Sequence, residues 1–76
     1  MQIYLFGSWL RSPDEAEDID VLVVYPPERF NAAHALAGSL RSIEPGLLYD
    51  VLALSEAEER ELSFVASEGA RKVWPA

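Results

Sequence analysis

Three acids set in apolar surroundings are the residues of this chain best suited to chemistry. Asp18 and Asp20 lead directly into Val21-Leu22-Val23-Val24, and Asp50 stands between Leu48-Tyr49 and Val51-Leu52. In a strand the side chains at i and i+2 share a face, so Asp18 and Asp20 project the same way, followed on that face by Leu22 and Val24. Two carboxylates held side by side raise each other's pKa unless a cation lies between them. A divalent ion removes the repulsion, and magnesium is typically held by one or two carboxylates together with substrate phosphates. The pair therefore fits a phosphate-chemistry site at the mouth of a sheet, and it equally fits an acidic loop that runs into a strand.

Asp50 adds to the first reading. An acid flanked by Leu48, Tyr49, Val51 and Leu52 is expected to be largely buried if its strand is central, and buried carboxylates are rare unless paired, hydrogen-bonded or metal-bound. If that strand lies beside the one carrying Asp18 and Asp20, three carboxylates converge, as two-metal phosphoryl or nucleotidyl transfer requires. The alternative is an edge-strand acid that faces water. Gly7-Ser8 supplies a complementary part at the end of an earlier strand, about ten residues before Asp18. A glycine there lets the backbone approach a ligand closely, free N–H groups at a helix start favour an anion such as a triphosphate, and the serine hydroxyl adds a donor.

The elements that must position these residues follow from periodicity and punctuation. Gln2 to Phe6 reads as a short strand that breaks at Gly7-Ser8, with a brief helix ended by Pro13. Ile19 to Tyr25 carries β-branched residues on both faces and stops at Pro26-Pro27, so it reads as a central strand covered on at least part of both sides. Phe30, Ala33, Ala37, Leu40 and Ile43 recur at helical spacing, with Pro27 acceptable in the first turn, and predict an amphipathic helix on the sheet. Pro45-Gly46 marks a turn into a third strand over Leu47 to Leu54. Ser55 and Glu58 have the spacing of a capping box opening a helix that runs to about Glu68 and ends at Gly69, with a short fourth strand over Ala70 to Trp74. This order predicts an α/β (α+β) fold in one domain over residues 1–76: a single small mixed sheet of three to four strands with helices packed against it.

Composition narrows the partners. A chain of 76 residues buries only about 60–65% of the surface its unfolded form exposes, so its core is marginal. With no cysteine and His34 as the single histidine, disulfides and thiolate zinc sites are excluded, which leaves a protein partner as the usual compensation. The net charge of −7 argues against direct binding of a nucleic-acid duplex. No stretch approaches the roughly 20 apolar residues of a membrane span, and Met1-Gln2-Ile3-Tyr4 lacks the basic region of a signal peptide, so a cytoplasmic location is expected. The run from Glu56 to Glu61 reads as a solvated helix face.

Taken together, Leu5-Phe6-Gly7-Ser8-Trp9-Leu10-Arg11, then Asp18-Ile19-Asp20-Val21-Leu22-Val23-Val24, then Tyr49-Asp50-Val51 resembles the signature of minimal nucleotidyltransferases of the polymerase-beta-like superfamily. The parts occur in the family's order and spacing across nearly the whole chain. The resemblance implies that Gly7 and Ser8 grip nucleotide phosphates, that Asp18 and Asp20 bind magnesium, and that Asp50 activates the acceptor hydroxyl or completes the metal site. Arg11 matches a basic residue common after the Gly-Ser pair and either touches phosphate or is simply solvated. Two positions depart from the pattern: Ser12 stands where glycine is usual, and Glu17 where serine is usual. The chain is also expected to lack the helix common before the first strand and a second substrate-binding domain.

Small members of this group resemble the antitoxin halves of toxin–antitoxin pairs in which the nucleotidyltransferase modifies an RNA-cleaving HEPN partner. The resemblance implies a magnesium-dependent enzyme that transfers AMP from ATP to a hydroxyl of such a toxin, in complex with it. The alternative is a weakly active binding module of the same fold that neutralises its partner by masking. An acidic surface suits a partner with a basic cleft. Trp9 and Trp74 either anchor that contact or pack in the core.

Overall fold

The computed structural model describes residues 1–12, 14, 18–42 and 48–75. The Pro45-Gly46 turn, Ile43, Leu47, Pro13 and Glu17 lie outside the described residues. Four strands form one mixed sheet in the order β3-β2-β1-β4: β1 over Gln2–Phe6, β2 over Asp18–Tyr25, β3 over Leu48–Ser55 and β4 over Arg71–Trp74. β1 is antiparallel to both β2 and β4, whereas β2 and β3 run parallel. Four helices accompany them among the described residues: α1 over Ser8–Arg11, α2 over Phe30–Arg41, α3 over Glu56–Leu62 and α4 over Phe64–Glu68. The fold is the small mixed α/β sheet that the sequence predicts.

β2 is the buried strand because its residues supply apolar side chains to both faces. Val21, Val23 and Tyr25 share one face with Ala33 and Ala37 of α2 and Val51 of β3, while Leu22 and Val24 share the other with Leu54 and, at its margin, Phe64 and Val65 of α4. Small residues at positions 33 and 37 bring α2 close to the sheet, and burying the two central aliphatic side chains, Leu22 and Val23, stabilises the fold by roughly 1.5–3 kcal/mol each. Pro27 opens a short 3-10 turn over Pro27–Arg29 that feeds α2, as a proline with no N–H to satisfy can do.

The capping box is present as expected. The Ser55 N–H donates to the Glu58 carboxylate at 2.9 Å, and the Glu58 N–H donates to the Ser55 hydroxyl at 3.1 Å. The helix it opens is interrupted, however, where the periodicity predicts one continuous element to Glu68. Ser63 adopts the left-handed conformation with φ 50, splitting it into α3 and α4. The break is tolerated because the Glu59 carboxylate accepts a hydrogen bond from the Val65 N–H at 3.2 Å and so satisfies one of the donors exposed at the new helix start. Gly69 closes α4 with φ 61, the left-handed end expected of it. No helix of the described residues is long and apolar enough to cross a membrane.

Candidate functional site

The acids meet because of register. In the parallel pair, Asp20 lies directly beside Asp50, and Asp18 is one pleat back on the same face of β2. One carboxylate oxygen from each of Asp18, Asp20 and Asp50 lies within 4.8 Å of the others. This is the convergence expected from the spacing, and it falls at the starting ends of β2 and β3, next to the end of β1. The face changes character along its length: the acids come first, and Leu22, Val24 and Leu54 then run under α4.

Of the two positions the sequence allows for Asp50, the structure has the edge-strand acid that faces water. β3 is an edge strand, and Asp50 is exposed rather than buried, although its flanking residues read as those of a central strand. Val51 is buried on one face of β3 and Leu54 on the other, while Leu52, on the face of Asp50, is 38% exposed. Asp18 and Asp20 are half-buried. The donor set is therefore two partly desolvated carboxylates and one facing water, hard oxygen ligands of the kind magnesium takes while keeping waters and substrate oxygens of its own. Among the described residues no cavity encloses the triad.

Electrostatics single out Asp20. Its carboxyl is pushed above the ordinary range, first by burial, then by the charges of Asp18, Asp50 and Glu68, with Arg11 acting in the opposite direction. Glu68 was not legible as a neighbour of the site. It reaches this end of the sheet because Phe64, one turn earlier in α4, packs edge-on against Phe6 with ring centroids 4.9 Å apart, and Phe6 is the register partner of Asp20. Only the tertiary packing of α4 carries that information.

Gly7 follows Phe6 immediately and has φ 80 and ψ −160, backbone open essentially to glycine alone. A Cβ built on it would stand 2.9 Å from the Asp20 Cγ and 3.2 Å from its Cβ, and would overlap the carboxylate oxygen Oδ2. The space left by the missing side chain is thus filled by the acid itself, whereas the sequence reading reserves it for a ligand's phosphates. Ser8 and Arg11 are exposed, on the four-residue helix α1 that follows. Trp9 is half-buried and Trp74 is 53% exposed. Arg11 is the one cation whose field reaches Asp20 among the described residues.

No protein-family model, curated protein or solved structure matches this chain.

Proposed function

We propose that the chain is a minimal nucleotidyltransferase of the polymerase-beta-like kind, using magnesium and ATP to place AMP on a hydroxyl of a partner protein. The observation that carries this reading is the meeting of Asp18, Asp20 and Asp50 within 4.8 Å, beside a glycine turn, from three separated parts of the sequence. Acids scattered for solubility have no reason to share one face of two parallel strands in register.

In this reading Asp18 and Asp20 hold the ion, and Asp50 stands nearest the solvent, where an acceptor can approach. A bound divalent ion supplies neutralisation of the phosphate charge. The acceptor oxygen bonds to the α-phosphorus, the bond from that phosphorus to the pyrophosphate oxygen breaks, and the hydroxyl proton passes to the Asp50 carboxylate. Arg11 and the backbone N–H groups following Gly7 are available to the polyphosphate. The net charge of −7 supports an acceptor on a macromolecule with a basic face, such as the RNA-binding cleft of a HEPN-type toxin. Antitoxin action in the cytoplasm follows from that pairing.

Trp74, more than half exposed, favours a second reading in which the domain binds and masks its partner without turnover. Mass spectrometry of the co-expressed partner decides between them. A mass increase of one AMP on a single hydroxyl, lost in Asp18→Asn, supports transfer. An unmodified partner in a stable complex, with no magnesium-dependent ATP binding by the chain, supports masking.

A further inference from the structure

We infer that Gly7 is the positioning residue of Asp20: its absent side chain is the space that holds the Asp20 carboxylate toward Asp18 and Asp50. This rests on the proposed metal site and adds to it the reason a glycine is required at the turn.

Two independent features of the backbone lead there. First, antiparallel register pairs Phe6 with Asp20, so Gly7 leaves the ladder immediately beside the acid. Second, the Cα of Gly7 approaches Asp20 so closely that an L-side chain meets three of its atoms, the Cβ at 3.2 Å, the Cγ at 2.9 Å and Oδ2. Crowding of a long, flexible side chain would be relieved by swinging its far end away. Aspartate has no such freedom, because its Cβ is fixed by β2, whose next residues Val21, Leu22, Val23, Val24 and Tyr25 are all buried. The remaining freedom is rotation about χ1 and χ2; turning χ2 moves the oxygens alone and leaves the Cγ contact at 2.9 Å, so relief requires rotation about χ1. That rotation carries both carboxylate oxygens, including the one now within 4.8 Å of Asp18 and Asp50.

The φ of 80 at Gly7 separates conformation from space, because a D-residue adopts positive φ readily while an L-residue does not. D-alanine places its methyl at the other hydrogen position of the Cα. L-alanine places it on the carboxylate. A chain of 76 residues is within reach of total chemical synthesis, so both can be made in the whole of this chain.

The test compares wild type, Gly7→Ala and the D-alanine form by two readouts: Asp20 χ1 from three-bond NMR couplings without metal, and Mn2+ affinity by electron paramagnetic resonance. We expect Gly7→Ala to change the Asp20 χ1 and weaken Mn2+ at least tenfold, and the D-alanine form to keep both, with affinity within twofold of wild type. An unmoved χ1 in Gly7→Ala, or loss of both readouts in the D-alanine form, overturns the assignment. If Gly7→Ala does not fold in buffer, a double-mutant cycle with Asp20→Ala in stabilising osmolyte decides, because the backbone strain at φ 80 is common to both backgrounds: a smaller cost of Gly7→Ala without the Asp20 carboxylate supports the steric coupling, and an equal cost overturns it. Wild type that ignores Mn2+ while Gly7→Ala moves χ1 defeats the metal site and leaves the positioning role standing. Mn2+ bound normally with χ1 indifferent to Gly7→Ala does the reverse.

Discussion

Asp20→Asn separates a metal ligand from a structural acid, because the two roles give stability changes of opposite sign. At the 4.8 Å that bounds the triad, two full charges repel by about 0.9 kcal/mol in bulk water, and screening over a Debye length of about 8 Å roughly halves this. Two neighbours then give about 1 kcal/mol, part of which persists in the unfolded chain because Asp18 is only two residues away in sequence. We expect Asp20→Asn without metal to stabilise the protein by about 0.5–1 kcal/mol, a rise in Tm of roughly 3–6 °C for a domain this small. The pH dependence follows from the raised carboxyl of Asp20. A folded pKa above the unfolded value means the folded state binds the proton more tightly, so the wild type carries the penalty above the folded pKa and is free of it below the unfolded one. The advantage of Asn therefore shrinks as pH falls through that window. Magnesium inverts the order: at ten times Kd it stabilises the wild type by about 1.4 kcal/mol, and the variant gains little. Thermal denaturation by circular dichroism at physiological ionic strength, with chelator and with magnesium, measures all of this. A loss of several kcal/mol on Asp20→Asn, or an equal magnesium gain in both proteins, would refute the reasoning.

Asp50→Asn should lower transfer more than it lowers Mg-ATP binding, since Asp50 faces solvent where an acceptor arrives; single-turnover kinetics beside calorimetric titration separate the two, and equal losses would reassign it to holding the ion. Ser55→Ala should cost about 0.5–2 kcal/mol by removing the cap on α3, read from urea denaturation. The Glu58 carboxyl is held below its ordinary value by hydrogen bonds from the Ser55 N–H and, secondarily, the Ser55 side chain, so its contribution is present at neutral pH and lost as pH falls through its lowered folded pKa. Glu58→Gln should accordingly flatten the acid limb of the stability profile. The Arg41 guanidinium donates to the Val51 carbonyl of the edge strand at 2.9 Å, so Arg41→Ala should destabilise by about 1 kcal/mol and increase self-association in analytical ultracentrifugation.

What could be read in advance was whatever depends on short separations. The alternation through Asp18, Asp20, Leu22 and Val24, the Ser55–Glu58 box and the glycine end at Gly69 are local patterns, and each has the physical role its spacing implies. The break at Ser63 was not legible, because Leu62-Ser63-Phe64 contains neither glycine nor proline. It depends on the Glu59 carboxylate reaching forward to accept from the Val65 N–H, and on Phe64 finding Phe6 across the fold. The sequence left Asp50 open between a buried and an edge position for a related reason. Leu48 to Leu54 has the apolar density of a central strand, but which strand ends a sheet is decided by what pairs with its other side, and β4 joins β1 instead of β3.

Gly7 shows where this limit bears on chemistry. A strand-glycine-serine turn ahead of paired acids invites the inference that the glycine clears a path for phosphates, since sequence displays the turn and the acids as separate segments. Once β1 and β2 pair antiparallel, the turn and Asp20 become neighbours, and the cleared space belongs to the carboxylate. Any ligand at this turn must then approach from another side of the Gly7 backbone, and it meets an acid whose direction the turn has already set. Under the proposed function, a substitution at Gly7 that abolishes nucleotide binding would thus act first on the magnesium ligand and only through it on ATP. Measuring Mn2+ affinity in the absence of nucleotide, before any assay of transfer, keeps those two effects apart.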